Sequence, residues 1–158
     1  GYSLETYPWP VMRLADLYLL YAEALNEAGG PGAEVYKWLN LVRERAGLQS
    51  VEDSWTLYSN NPAKYTTQDG LREIIHRERL IEMAFEGHRY WDLRRWKKAD
   101  GEFNGPVYGW DVEQEESATY YRRKVLFNQA FQSPRDYFWP ISENNIVVNR
   151  NLVQNPGW

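Results

Sequence analysis

The stretch ERLIEMAFEGHRYWDLRRW, residues 78–96, concentrates the acidic, basic and aromatic side chains on which the fold depends. Glu78, Glu82 and Glu86 recur at every fourth position, so on an α-helix they form one row of carboxylates. Such a row is compatible with acid/base chemistry, with a metal site or with a set of ion pairs. The rest of the sequence has to decide between these uses.

Length and composition predict one soluble, globular domain. The chain has 158 residues, of which 43% are hydrophobic and 25% charged, and its net charge of −4 gives no reason to expect a nucleic acid partner. It has no cysteine, which excludes disulfides and thiolate metal sites. The first residues, GYSLETYPWP, contain neither Met nor a signal-like segment, so we expect a cut or processed start.

The N-terminal third predicts two helices. Apolar residues at helical spacing extend over residues 11–29 and again over 33–46, and the glycines at 29, 30 and 47 provide the stops. Because the turn between them is so short, the two helices must be antiparallel neighbours. Residues 11–47 are therefore predicted to form a helical hairpin of tetratricopeptide-like length.

The remaining sequence predicts more helix and then irregular chain. Residues 48–66 are polar and contain the turn signal SNNP, which indicates a loop. Residues 67–98 are predicted to hold a third helix, capped by Thr66 or Thr67 and running to about Phe85, and a shorter fourth helix. Glycine and proline punctuation in 99–158 predicts an irregular, aromatic-rich tail with a short strand or helix around 120–131. The predicted fold class is all-α.

Two of the three glutamates, Glu78 and Glu82, lie in or beside an apolar stripe of the third helix. Glu78 lies at the centre of that stripe and Glu82 beside it, and a buried unpaired carboxylate costs several kcal/mol. The stripe consists of Leu71, Ile74, Ile75, Ile81 and Phe85. The paired N–H donors of an arginine guanidinium match the two oxygens of a carboxylate, which favours a structural ion-pair network. The predicted arginine partners are Arg43, Arg45, Arg89, Arg94 and Arg95.

A catalytic use of the same carboxylates is the main alternative. Glu78 and Glu82 lie one helical turn apart, with Cβ atoms about 6 Å from each other, so they could form a glycosidase pair. Carboxylates within an amphipathic stripe more often face a neighbouring helix than an open cleft, which favours the structural use. We predict no cofactor and no metal site, because no nucleophile–base pair, phosphate loop or metal cluster is recognisable.

Four aromatic residues are candidates for ligand binding. Trp55, Tyr58, Tyr108 and Trp110 lie in loop-like sequence, outside any helical period, near neutral polar residues. Such rings can stack on the face of a pyranose while polar groups bind its hydroxyls, although they can equally pin loops to the core. Because the overall acidity offers no attraction for anions, we expect an uncharged sugar.

Four sequence blocks, in this order, resemble the C-terminal region of the SusD/RagB family. They are RLADLYLLYAEALNE, YKWLNLVRERAGL, IIHRERLIEMAFEGHRYWDLRRW and DYFWPISENNIVVNRNLVQNPGW. The resemblance implies that residues 1–158 are the C-terminal region of a longer, non-catalytic surface protein that binds glycans or other nutrients. It also implies tetratricopeptide-like helices, an outward-facing outer-membrane lipoprotein whose anchor lies outside this fragment, and a SusC-like TonB-dependent transporter as partner.

Two other functions remain open at this point. One is a helical glycoside hydrolase that uses Glu78 and Glu82, and the other is a tetratricopeptide-type adaptor that binds a peptide. Turnover of an oligosaccharide would identify the first, and dependence on a peptide partner would identify the second.

Overall fold

The computed structural model describes residues 11–158, which divide into two compact units between His88 and Arg89. The first ten residues, and with them the prediction of a processed start, lie outside the described residues. The helices of the first unit are α1 (Leu14–Gly29), α2 (Ala33–Arg45), α3 (Val51–Tyr58) and α4 (Gln68–Glu82). The later elements are α5 (His88–Arg95), α6 (Ala99–Glu102), β1 (Gly105–Trp110), α7 (Ser117–Tyr120), β2 (Arg123–Gln129) and α8 (Glu143–Val148).

The core of the first unit lies between α1, α2 and α4. The apolar stripes of the three helices meet there, and Leu19, Leu39 and Ile75 are completely buried. Burying one such side chain contributes about 1.5–3 kcal/mol. The predicted hairpin and third helix are thus present, and the predominantly helical fold class is confirmed.

Polar contacts connect α1 to α4. Arg79 is 2% exposed, and its Nη1 donates to Asp16 Oδ1 at 2.8 Å. Asn26 Nδ2 donates to the carbonyl of Gln68 at 3.0 Å, and Gln68 Nε2 donates back to the carbonyl of Asn26 at 2.7 Å. Buried polar groups that are paired in this way specify the register of the two helices.

The prediction of a loop over residues 48–66 is wrong. The structure has α3 and a 3-10 turn at Lys64–Thr66 in this segment. Ser50 caps α3, because its hydroxyl accepts a hydrogen bond from the backbone N–H of Asp53 at 3.0 Å. Val51 is fully buried and Trp55 packs against the core, so tertiary contacts stabilise a helix too short to show a period.

The third helix is shorter than predicted. It ends at Glu82 instead of near Phe85, and Phe85 follows it with a left-handed φ of 65°. Ile81 is 62% exposed and Phe85 completely exposed, so neither belongs to the buried stripe. Arg79 lies on the buried side of α4 instead, paired with Asp16 as described above.

The second unit contains an antiparallel hairpin, of which only a short strand or helix around 120–131 was predicted. Strand β1 pairs with β2, with an irregularity between Val107 and Tyr108. Downstream, the side chain of Gln154 clamps Ile141, accepting from its N–H and donating to its carbonyl, both at 2.9 Å. The region predicted to be irregular therefore holds a small sheet, followed by a tail that is ordered by hydrogen bonds.

Candidate functional site

The β1–β2 hairpin brings two of the predicted ligand-binding rings onto one face. Tyr108 lies opposite Val125 and Trp110 opposite Arg123, and residues directly opposite each other in a sheet share a face. Tyr108 is 46% exposed and Trp110 55% exposed. A sequence that alternates large rings with glycine thus places both rings on the same, open side of the strand.

Gly109 allows Leu126 to cover the opposite face of the hairpin. A Cβ atom at position 109 would lie 2.6 Å from Cδ1 of Leu126, which is closer than any real contact. The glycine therefore gives the leucine side chain room on that face. The two faces of the hairpin differ as a result, with Leu126 against one and the rings on the other.

Two tyrosines extend this surface beyond the strands. Tyr121 meets Trp110 edge to face, with ring centroids 5.0 Å apart, and Tyr120 meets Tyr121 at the same separation. The backbone N–H of Asp111 donates to the carbonyl of Tyr120 at 3.0 Å, which fixes the connection to β1. We call Tyr108, Trp110, Tyr120 and Tyr121 the ring surface.

Charged residues border the ring surface. The guanidinium carbon of Arg123 lies 3.6 Å from the centroid of the Tyr108 ring, a close cation–π contact. The neighbouring Lys124 donates to Asp111 at 2.6 Å. That hydrogen bond raises the pKa of the Lys124 ammonium, which stays charged at neutral pH.

The ring surface has the composition of a carbohydrate platform. Edge-to-face contacts hold the rings of Trp110 and Tyr121 in place, while both side chains stay more than half exposed. Exposed rings that are already ordered can stack on a flat, partly apolar ligand with little further loss of entropy.

The other two predicted ring residues lie in the first unit. Trp55 packs against the helical core and lies under the ammonium of Lys64, at 5.4 Å. Tyr58, at the end of α3, is 74% exposed. The structure therefore groups Tyr108 with Trp110, whereas Trp55 has the surroundings of a core residue.

The predicted glutamates are bound by arginines from other helices. Glu78 accepts a hydrogen bond from Arg43, and Glu82 accepts one from Arg45 at 2.5 Å. Arg43 also donates to Ser54 Oγ and to the carbonyl of Gln49, both at 2.8 Å. Through these contacts Arg43 ties α2 to the start of α3 and to α4.

Sequence reasoning missed Arg13, which is the third arginine of this cluster. Its Nη1 donates to Glu82, and its Nη2 donates to Glu86 at 2.7 Å. The Arg13 hydrogen bond lowers the pKa of Glu86, and the same bond raises the pKa of Arg13. Arg13 stands about seventy positions before these glutamates and outside the motif, so no local signal identifies it.

The remaining predicted arginines have different partners from those expected. Arg94 donates to the carbonyls of Asp136 and Tyr137, and stacks with Trp139 at 5.6 Å. Arg95 pairs with Asp92 at 2.9 Å, and Arg89 with Glu102 at 3.3 Å. Gly87, with a φ of 78°, separates α4 from α5, so the motif does not continue as one helix with a single row of partners.

A half-open cavity of about 580 Å³ lies beside Arg94 in the second unit. Lys97, Asp100, Pro134 and Tyr137 contribute to its lining. The Arg94 guanidinium already donates to two backbone carbonyls and to the hydroxyl of Tyr90 at 2.8 Å. The arginine thus joins α5 to the tail, which leaves it few donors for a ligand.

Residues 11–158 contain neither a candidate metal site nor a membrane-spanning helix. No group of three or more histidines and carboxylates in that range could hold a metal ion. Among the helices of the described chain, none has both the length and the apolar character needed to cross a bilayer.

The chain is similar in sequence and in structure to known proteins of one family. The model of the SusD family matches residues 1–158. The SusD-like proteins P2 and P38 of Formosa agariphila are 35% and 39% identical over 148 and 145 residues, 93% and 92% of this chain. A solved structure, BT4246, superposes with a TM-score of 0.76 at 31% identity over 94% of this chain. The chain spans about a quarter of these relatives: 25% of P2, 24% of P38 and 23% of BT4246.

Proposed function

Because this chain belongs to the SusD family, we propose that it is part of a non-catalytic protein that captures oligosaccharides at the cell surface. The observation that carries the proposal is the ring surface, where Tyr108 and Trp110 are exposed side by side on a defined hairpin. Ordered, exposed rings stack on pyranose faces and require no cofactor.

The arrangement of the glutamates supports binding over hydrolysis. A glycosidase needs one carboxyl group as a proton donor and a second one free to meet the sugar or a water. Glu78 and Glu82 are instead bound by arginines, and their side chains are only 15% and 13% exposed. Carboxylates that already accept hydrogen bonds from arginines are engaged in the fold, which suits an ion pair better than contact with a sugar.

The transporter partnership and the membrane location are parts of the same proposal. The family resemblance supports a SusC-like TonB-dependent transporter as partner and an outer-membrane lipoprotein as the intact molecule. In this scheme the first unit, with its paired charges and buried helices, serves as scaffold. The hairpin of the second unit presents the ring surface to the oligosaccharide.

Calorimetric titration of the full-length protein against a panel of oligosaccharides tests the proposal. We expect Trp110→Ala to weaken glycan binding by about 1–2 kcal/mol, which raises Kd roughly 5–30-fold, because one stacking surface is removed. Phe85→Ala is the matched control, since this ring is completely exposed but belongs to the first unit. Its affinity should equal that of the wild type.

Two results would contradict the proposal. If no member of the panel binds the full-length protein, the ligand class is wrong. If a glycan binds and Trp110→Ala has no more effect than Phe85→Ala, the ring surface is not the binding site.

A further inference from the structure

Arg123 carries a charge that its described contacts do not neutralise. Its guanidinium stacks on the ring of Tyr108, and within residues 11–158 no carboxylate is among its recorded partners. The next residue along β2 differs, because Lys124 is paired with Asp111 at 2.6 Å and with Glu113 at 3.7 Å. Asp111 and Glu113, the acidic side chains at this end of the hairpin, therefore pair with Lys124.

The stacked geometry leaves the hydrogen-bond donors of Arg123 available. A guanidinium that lies over a ring uses its flat face, whereas its five N–H groups point outward in the plane of the group. Two of these parallel donors match the two oxygens of a carboxylate. Contact with Tyr108 also orders the side chain before any ligand arrives, which lowers the entropy lost on binding.

Arg123 lies directly beside the ring surface. It is the cross-strand partner of Trp110, so the two side chains share a face at neighbouring positions. A pyranose stacked on Trp110 would carry its ring substituents toward the guanidinium. An acidic substituent on the sugar would then meet the Arg123 cation, for which residues 11–158 provide no carboxylate partner.

We propose that the ring surface binds an anionic saccharide, a uronic acid unit, with its pyranose on Trp110 and its carboxylate on the fork of Arg123. This inference rests on the proposed function and narrows its ligand class. It differs from the uncharged sugar expected from the net charge of −4. Net charge acts over the whole molecule and is screened beyond about 8–10 Å, so the nearest cation decides what a bound sugar can carry.

The test uses the full-length protein and matched pairs of ligands. Oligogalacturonate, oligoalginate and a glucuronate-containing oligosaccharide are titrated by calorimetry, each beside its carboxyl-reduced form, which keeps the ring but lacks the charge. We expect the wild type to bind at least one uronate at least tenfold more tightly than its reduced form. Arg123→Gln should abolish that preference, so that the variant binds the uronate and its reduced form with similar affinity.

Three variants distinguish bidentate hydrogen bonding by Arg123 from general charge attraction and from ring stacking. Arg123→Lys keeps the charge but loses the paired donors, so its preference should be intermediate. Arg122→Gln removes the same charge from the exposed neighbouring residue and should retain the full preference. Trp110→Ala should weaken binding of the uronate and of its reduced form by similar factors. Circular dichroism melting curves check that each variant is folded.

Several outcomes would overturn the inference. Uronates that bind no better than their reduced forms would do so, as would equal losses in Arg123→Gln and Arg122→Gln, which indicate unspecific attraction. Binding of a sulfated oligosaccharide but of no uronate would reject the carboxylate. If neutral glycans bind in a manner that depends on Trp110 while no uronate binds more tightly than its reduced form, only this inference fails. If no oligosaccharide of either kind binds, the proposed function fails with it.

Discussion

Replacing Asp16 by Asn in the intact protein tests whether the buried polar contacts of the first unit hold α1 on α4. Arg79 is 2% exposed, and its Nη1 lies 2.8 Å from Asp16 Oδ1, a carboxylate whose side chain is 11% exposed. Removing one partner of a buried ion pair costs about 3–5 kcal/mol, because the other charge stays in a poorly solvated place. Asn keeps an acceptor oxygen, so we expect a loss near the lower limit, about 3 kcal/mol.

Urea unfolding followed by circular dichroism measures this loss. The control is Lys37→Met, which breaks the pair between Lys37 and Glu34, whose side chains are 53% and 62% exposed. An exposed pair of this kind contributes about 0.3–0.5 kcal/mol, so the control should stay close to the wild type. The double replacement Asp16→Leu with Arg79→Met should recover most of the lost stability, because both charges of this pair are removed together.

The reasoning is refuted if Asp16→Asn loses less than about 1 kcal/mol, or no more than the control. In that case the α1–α4 contact is held by its apolar residues, and the buried arginine is sufficiently solvated or held by its other contacts. A double replacement less stable than the single one would also contradict it, since it would show that the ion pair contributes net stability.

Three further predictions concern single residues. The hydrogen bond from Arg13 lowers the pKa of Glu86 below its usual 4.5, so its stabilisation is present above about pH 4.5 and is lost as the pH falls through the lowered value. The urea midpoints of wild type and Glu86→Gln should therefore differ at about pH 7, and the difference should shrink as the pH falls below about 4.5. Gly70→Ala should unfold at a markedly lower temperature in a melting curve, because its Cβ would lie 2.0 Å from the carbonyl oxygen of Lys64. Ser50→Ala should lower the free energy of unfolding by about 1 kcal/mol, since it removes the cap of α3, and an unchanged urea midpoint would contradict the capping role.

Sequence reasoning identified the helices whose apolar periods are long. The segments that became α1, α2 and α4 each span several turns, and the Thr67 cap of α4 is present, with its hydroxyl accepting from the N–H of Gly70 at 3.2 Å. The short helix α3 and strand β1 were not predicted, and β2 lies where a short strand or helix was expected around 120–131. Elements of six to eight residues contain too few repeats for a period, and their stability comes from contacts with distant residues.

The candidate site was likewise predictable from the sequence only in part. The sequence indicated Tyr108 and Trp110 because large rings stood outside any helical period. The cross-strand register then placed Arg123 opposite Trp110 and over Tyr108, which no spacing along the chain could reveal. The glutamate row was visible as a repeat, whereas Arg13 as its partner was not.

The sequence by itself determined the three long helices and the side chains that could not be left buried without partners, because both follow from local spacing and residue chemistry. Only the tertiary structure decided which of the candidate arginines meet the glutamates, and it alone paired charges that no sequence pattern connects. Asp16 and Arg79 are separated by 63 positions, and Arg13 and Glu82 by 69. Contacts between residues so far apart depend on how the helices pack, and packing depends on the shapes of all their side chains together.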